Sequence, residues 1–200
     1  DNKCFTETAP GNWCSVILGN PMDPLTPVDM TNSEFKVINC KLDPQGCPAI
    51  GMFNYRSDSN SRFEIFNNWI GKNPPDDGNN MSATAIGILF GWKTPLTYPN
   101  GTLLISGNNI KLETYLGNQS MGINVQGKNE TKSFGGQVFS IKVPKFDLII
   151  SRNNIEVCHP SSIKDSEVAG ILYEDVAHNG SIKTTVLIDN NTIKGGLRGK

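Results

Sequence analysis

The sequence predicts an all-β protein, and specifically an antiparallel β-sandwich of the immunoglobulin-like or jelly-roll-like kind. Short apolar runs rich in β-branched residues alternate with polar positions, and none has the period of an amphipathic helix. Turn-forming pairs separate these runs, including Asp77-Gly78, Asn100-Gly101, Gly107-Asn108 and Asn179-Gly180. Short strands joined by such closely spaced turns are typical of sandwiches and barrels.

Three predicted strands in a row, between Phe134 and Val157, form the expected centre of the sheet. Gln137–Val143 alternates, Phe146–Ile150 is apolar almost throughout as in a strand buried on both faces, and Ile155–Val157 alternates again. Arg152–Asn154 predicts a tight turn, because Asn adopts a positive φ at little cost. The predicted core consists of Ile86, Ile88, Leu89, Val138, Phe139, Ile141, Phe146, Leu148 and Ile150.

Further strands are predicted on both sides of this stretch, and no helix longer than a turn or two is expected. A helical turn is the alternative for the start of the run Met81–Trp92, which otherwise predicts a central strand. The predicted strands are Trp13–Leu18, Glu34–Cys40, Ile50–Tyr55, Arg62–Phe66, Met81–Trp92, Thr102–Ile105, Ile110–Leu116, Met121–Val125, Val168–Val176 and Ile182–Ile188.

The charge balance argues against nucleic acid as a partner, and the length of the apolar runs argues against membrane insertion. The 18 basic and 19 acidic residues nearly balance, and without a basic patch we expect no nucleic-acid binding. No apolar run approaches the ~20 residues of a spanning helix, so we expect no membrane insertion. The chain opens at Asp1 rather than at Met, which favours a processed, secreted protein.

The five cysteines also favour an oxidising, extracellular compartment. Four of them lie in the first 47 residues, with no Cys-x-x-Cys pair and only two histidines in the chain, so we expect two disulfides rather than a metal site. Of the three possible pairings we favour Cys4–Cys40 with Cys14–Cys47. Cys158 is the unpaired fifth, with a free thiol or a partner elsewhere.

A run near the C-terminus resembles the closing strand of a family of bacterial lectins. It comprises Phe146-x-x-x-Ile150-x-x-Asn153-Asn154-x-x-Val157-x-x-Pro160. These lectins are the N-terminal domains of two-domain fimbrial tip adhesins of the chaperone–usher pathway. Cys158 is placed like the cysteine that opens the pilin domain of that family, and the segment from Gly170 to Ile188 is similar to the start of such a domain.

The resemblance implies a division of the chain and a function. Residues 1–157 would be a lectin-like β-sandwich, residues 158–192 a linker and pilin-like segment or the final strands of the same sandwich, and residues 193–200 a flexible tail. The protein would be an extracellular adhesin at the tip of a surface fimbrium, with no catalytic activity. Its partners would be a host glycan or glycoprotein receptor, a periplasmic chaperone and neighbouring pilus subunits.

The loop Gly71–Asn80 is the predicted ligand site. Sugar recognition needs planar hydrogen-bonding groups together with an aromatic face. The hydrogen-bonding groups expected here are Asp76, Asp77 and Asn80, and the candidates for the aromatic face are Trp69, Trp92 and Tyr98. A solvated turn flanked by buried tryptophans is the competing interpretation.

No other motif predicts a site with its own chemistry. A Ca²⁺ site at Asp76 and Asp77 lacks the Asp-x-Asp-x-Asp-Gly pattern, so we expect no metal and no cofactor. His159 follows Cys158 directly, and neighbours in a strand point to opposite faces, so this pair does not predict a nucleophile and its base. We therefore expect a binding protein rather than an enzyme.

Two rival functions stay open at this point. One is a structural pilus subunit without a ligand, and the other is a viral or eukaryotic attachment glycoprotein. The second is suggested by six Asn-x-Ser/Thr sequons. Their asparagines are Asn80, Asn100, Asn118, Asn129, Asn179 and Asn190.

Overall fold

The computed structural model describes most of the strands of the chain and leaves out several connecting segments. The residues it describes are 16–18, 28–42, 48–53, 55–71, 83–90, 100–113, 119–127, 131–134, 137–140, 145–160, 167–174 and 185–198. Within these ranges the regular structure consists of β-strands, in agreement with the all-β prediction.

The strands are numbered in chain order. They are β1 (Val16–Leu18), β2 (Val28–Asp29), β3 (Glu34–Ile38), β4 (Lys41–Leu42), β5 (Ile50–Phe53), β6 (Tyr55–Arg56), β7 (Arg62–Phe66), β8 (Trp69–Gly71), β9 (Ala83–Phe90), β10 (Asn100–Ser106), β11 (Asn109–Glu113), β12 (Gln119–Gly127), β13 (Thr131–Phe134), β14 (Gln137–Ser140), β15 (Lys145–Ser151), β16 (Asn154–Pro160), β17 (Glu167–Glu174), β18 (Val186–Asp189) and β19 (Thr192–Arg198).

The chain winds through three parallel sheets in turn. Sheet 1 has the order β1-β5-β9-β12-β17, sheet 2 the order β3-β7-β10-β15-β18, and sheet 3 the order β4-β8-β11-β16-β19. Each circuit contributes one strand to each sheet and lies directly on the previous circuit, so the fold is a parallel β-helix of five coils. The short strands β2 and β6 also pair in parallel, and β13 with β14 forms an antiparallel hairpin.

The prediction of an antiparallel β-sandwich is therefore wrong. Alternating apolar runs and turn residues are shared by both folds, because an inward-facing side chain repeats every second residue whatever the direction of the neighbouring strand. The turn predicted at Arg152–Asn154 is present, but it leads the chain from β15 in sheet 2 to β16 in sheet 3 instead of reversing it within one sheet.

The stretch expected at the sheet centre is divided among different sheets. The strand β14 lies in the two-stranded hairpin, while β15 and β16 belong to sheets 2 and 3. The expectation that Phe146–Ile150 is buried on both faces is also wrong, because Asp147 is exposed and Ile149 is half-buried. The predicted central strand does occupy the middle of a sheet, as β9 of sheet 1.

The last three strands continue the same three sheets. Residues 158–192 were expected to form a linker and pilin-like segment, or the final strands of the main domain. The structure places β17, β18 and β19 at one edge of sheets 1, 2 and 3. Residues 193–198, expected within a flexible tail, form most of β19.

The core is built from rows of apolar side chains, one from each coil, stacked in register. In sheet 2 one row contains Val37, Ile65, Ile105, Ile150 and Ile188. In sheet 3 another contains Leu42, Ile70, Ile110, Ile155 and Ile193. Of the predicted core, Ile86, Leu148 and Ile150 are fully buried. The side chains of Ile88, Leu89, Val138, Phe139, Ile141 and Phe146 lie outside the described part.

A ladder of asparagine side chains runs along the corner between sheets 2 and 3. It comprises Asn68, Asn108, Asn153 and Asn191, with Cys40 in the equivalent position of the first coil. Each Asn Nδ2 donates to the Oδ1 of the Asn in the next coil, at 3.0, 2.9 and 2.9 Å. The Oδ1 of each ladder Asn also accepts a hydrogen bond from the backbone N–H of the rung before it. The first of these donors is the Cys40 N–H, 2.9 Å from Asn68 Oδ1.

The ladder amides also hold the neighbouring strands of sheet 2. Each Nδ2 donates a second hydrogen bond, at 2.8–3.0 Å, to a carbonyl of the preceding coil. These carbonyls belong to Val37, Ile65, Ile105 and Ile150. Because the amides of Asn68, Asn108 and Asn153 are buried, these bonds satisfy polar groups that would otherwise destabilise the core.

The residue before each rung allows the two-residue turn. Asn39, Asn67, Gly107, Arg152 and Asn190 all have a φ between 50° and 67°, in the left-handed region. Asparagine and glycine adopt this region at the least cost, and Arg152 is the exception. A left-handed residue followed by Cys40 or by an Asn of the ladder therefore turns the chain from sheet 2 to sheet 3 in each of the five coils.

The two ends of the core differ in exposure. At the first coil, Leu18, Val37 and Leu42 are 4–6% exposed, whereas at the last coil Ile188 is 46% and Ile193 52% exposed, although both continue inward-facing rows. The hydrophobic contribution to stability should therefore be much larger in the inner coils than at the final coil.

Replacing Asn108 by Ala should lower the free energy of unfolding by at least about 2 kcal/mol, because each buried partner left unpaired costs ~1–3 kcal/mol. The partners affected are the Asn68 amide groups and the Ile65 carbonyl. Asn109→Ala, at the next position, which is exposed, should change the free energy of unfolding by less than about 0.5 kcal/mol. Urea unfolding compares the two, and similar losses would contradict the role of the ladder.

Ile155→Ala and Ile193→Ala test the contrast between inner and final coils within a single row. Ile155 is fully buried and its Cγ2 lies 2.6 Å from the point where a Cβ on Gly122 would be, so it packs closely against sheet 1. Ile155→Ala should cost ~2–5 kcal/mol. Ile193→Ala should lower the free energy of unfolding by less than about 1 kcal/mol, because the Ile193 side chain is half-exposed. An equal loss for both variants would show that the final coil is covered in solution.

Candidate functional site

The outer face of sheet 3 is the candidate site. Side chains there alternate with the buried row and form two parallel rows in register. The first row is Lys41, Trp69, Asn109, Asn154 and Thr192, all exposed. The second is Gly71, Lys111, Glu156 and Lys194. The positions are fixed by strands rather than by loops, so ligand binding here would order little additional chain.

Trp69 provides an aromatic platform on this face. Its side chain lies over Gly71 two residues along the strand, with Cη2 2.6 Å from where a Cβ on that glycine would stand. The residue is 38% exposed, which is high for tryptophan. The Nζ atom of Lys41, from the adjacent strand, lies 4.9 Å from the ring centroid, within the range of a cation–π interaction.

Two exposed amides continue the row beyond the indole. Asn154 Nδ2 donates to Asn109 Oδ1 at 3.3 Å, which orients the two carboxamides relative to each other. Each retains further donor and acceptor capacity, because a carboxamide offers two donors and two acceptor lone pairs. An aromatic face followed by planar donor–acceptor groups at strand spacing suits the hydroxyl-bearing ring of a sugar.

The outer face of sheet 2 has a different character. At its first two coils Lys36 Nζ lies 2.6 Å from Glu34 Oε2, and Arg62 pairs with Glu64, so the charges are paired with one another. Towards the last coil this face is lined by Leu104, Ile149 and Leu187. Among the side chains that the structure describes on this face, no aromatic ring lies beside amides as on sheet 3.

A cluster of charged residues at the corner near β2 and β6 has a structural role. The Arg56 guanidinium, followed by the Thr31 hydroxyl and backbone N–H, lowers the pKa of Asp29 well below its usual range. The Asn32 backbone N–H, followed by the Ser61 hydroxyl, lowers the pKa of Asp58. These carboxylates use their oxygens to fix local turns, so they do not form an open acid–base site.

Of the six residues predicted to bind a ligand, Trp69 lies among the described residues. It is 38% exposed beside Gly71, so it is not the buried tryptophan of the competing interpretation, and its contact with a ligand stays a prediction. Asp76, Asp77, Asn80, Trp92 and Tyr98 lie outside the described residues, and their part in the site stays a prediction. Cys4, Cys14 and Cys47 are also outside them, so both disulfides stay predictions too.

Sequence reasoning missed Lys41, Asn109, Asn154 and Lys194. The signal that could have found the row is the residue directly after each Asn of the ladder. In the pairs Asn108-Asn109 and Asn153-Asn154 the first amide is buried and the second is exposed. The sequence shows no regular repeat, because successive rungs of the ladder are separated by unequal intervals of 28, 40, 45 and 38 residues.

Within the ranges that the structure describes, no three His, Cys, Asp or Glu side chains are grouped so as to hold a metal ion. The same part of the chain contains no helix that is long and apolar enough to cross a membrane. Comparisons of the chain with protein-family models, with curated proteins and with solved structures find no match.

Proposed function

We propose that the protein is an extracellular glycan-binding adhesin without catalytic activity, and that the outer face of sheet 3 is its binding surface. The observation that carries this proposal is the exposed indole of Trp69, lying over Gly71 and followed by the amides of Asn109 and Asn154. A sugar ring can stack its apolar face on the indole while its hydroxyls exchange hydrogen bonds with the carboxamides.

The rigid setting supports a binding role. Strands joined in register and fixed by buried amides hold the platform in place before a ligand arrives, so less entropy is lost on binding. The segment containing Asp76, Asp77 and Asn80 follows directly after Gly71 in the chain. These three residues, with Trp92 and Tyr98, remain proposed as additional ligand contacts.

The proposed partner is a host-cell glycan or glycoprotein receptor. The fimbrial setting, with a periplasmic chaperone and neighbouring pilus subunits, rests on the resemblance of residues 146–160 alone. The sandwich implied by that resemblance is not the fold of this chain. The glycan proposal rests instead on the exposed side chains of sheet 3 and does not require a fimbrium.

Trp69→Ala should weaken binding to the best glycan on an array by about fivefold or more, since loss of a stacking contact removes on the order of 1 kcal/mol. Phe66→Ala is the matched control, because Phe66 is a 42% exposed aromatic on sheet 2. Both variants should keep the wild-type melting temperature. A wild-type protein that binds no glycan at high concentration would contradict the proposal and favour a purely structural role.

Gly71→Ala should weaken binding by displacing the Trp69 indole without removing it. The new Cβ would stand 2.6–2.8 Å from ring atoms of Trp69, so the indole must move away from the strand. The backbone is not obstructed by the contacts nearest to this Cβ, and stability should therefore change little. Glycan titration with tryptophan fluorescence measures both effects, and unchanged affinity would show that the position of the ring does not matter.

A further inference from the structure

We infer that the sheet 3 outer face selects an anionic, linear glycan that lies across the strands, along the axis of the β-helix. This inference rests on the proposed function and adds the chemical class of the ligand. It starts from the distribution of charge among the outer faces of a chain whose formal net charge is −1.

Sheet 3 is the cationic face. Among its outer positions whose side chains the structure describes, sheet 3 has three lysines, Lys41, Lys111 and Lys194, against one half-buried carboxylate, Glu156. The described outer positions of sheet 2 contain Lys36 and Arg62 against four acidic residues: Glu34, Glu64, Asp147 and Asp189. Lys111 and Glu156 make other contacts within the protein, so the inference is based on Lys41 and Lys194.

The spacing of these lysines suits an extended polymer. Lys41 lies on the first strand of sheet 3 and Lys194 on the fifth. Adjacent strands are ~4.8 Å apart, so the two backbone positions are separated by about 19 Å. Trp69 and the two amides lie between them. A linear glycan crossing the strands can stack one sugar on the indole and reach both ammonium groups with acidic substituents.

The contact between Lys41 and Trp69 favours an acidic sugar over a neutral one. A neutral sugar stacked on the ring competes with the ammonium group for the indole and offers that group no anion in return. The contact is worth ~0.5–1 kcal/mol at an exposed site. A sugar bearing a carboxylate or sulfate gives Lys41 Nζ a charged partner beside the ring, and a charge-assisted hydrogen bond is stronger than a neutral one.

The test measures binding of three probes by isothermal titration calorimetry. Hyaluronan oligosaccharides carry carboxylates only, chondroitin sulfate carries carboxylates and sulfates, and dextran is neutral. The anionic probes should bind at least about tenfold more tightly than dextran. Their affinity should fall as salt is raised from about 50 mM to about 500 mM, because exposed charges are screened. The ratio of the two anionic probes shows whether carboxylate alone suffices.

The double variant Lys41→Gln, Lys194→Gln should lose the preference for anionic probes and retain binding to dextran. The control is Lys36→Gln, Arg62→Gln, which removes the same charge from the outer face of sheet 2 and should leave the preference unchanged. Melting temperatures confirm that both variants are folded.

Three outcomes would overturn the inference. Equal affinity of the wild type for dextran and the anionic probes would remove it, while the proposed glycan-binding function stood. An equal loss of preference in the control variant would show that overall charge, and not this face, is responsible. Binding of none of the three probes by the wild type would overturn the inference. If the wild type bound no glycan on the full array, the proposed function would be contradicted as well.

Discussion

The buried asparagine ladder is the interaction on which the rest of the structure depends. Hydrophobic rows alone favour stacked coils, but apolar contacts are not directional and do not fix how one coil lies on the next. The carboxamides do fix it, because each one bonds to the rung after it and to a carbonyl of the coil before it. In a buried position such a bond cannot be exchanged for one to water, so a shift of register would leave several polar groups unpaired.

The candidate site follows from the same constraint. A residue directly after a rung begins a strand of sheet 3 and points away from the core, since successive side chains alternate. The ladder that aligns Asn108 with Asn153 therefore also aligns Asn109 with Asn154 on the outside. Trp69 follows Asn68 in the same way, so its backbone is in register with the two amide residues, while its indole extends along the strand over Gly71. A buried structural repeat thus produces an exposed binding row.

The sequence predicts the strands well and their arrangement poorly, for a physical reason. Runs of apolar residues locate β3, β7 and β15, and turn-forming residues locate the turns after β10 and β15, at Gly107-Asn108 and Arg152–Asn154. Neither signal states whether the next strand reverses within a sheet or continues into another one. That information lies in pairs such as Asn67-Asn68 and Asn190-Asn191, where one residue allows the turn and the amide of the next bonds to a neighbouring coil. From sequence alone, the two amides of each pair look alike.

The uneven length of the coils shows where this fold can vary. Between successive rungs the chain runs 28, 40, 45 and 38 residues, yet the hydrogen bonds along the ladder remain at 2.9–3.0 Å. The extra residues lie in longer strands and in the connections from sheet 3 to sheet 1 and from sheet 1 to sheet 2, because sheets 2 and 3 are always joined by two residues. The corner beside Trp69 is thus the constant one. Connections elsewhere can change in length without moving the row of side chains that the ladder positions.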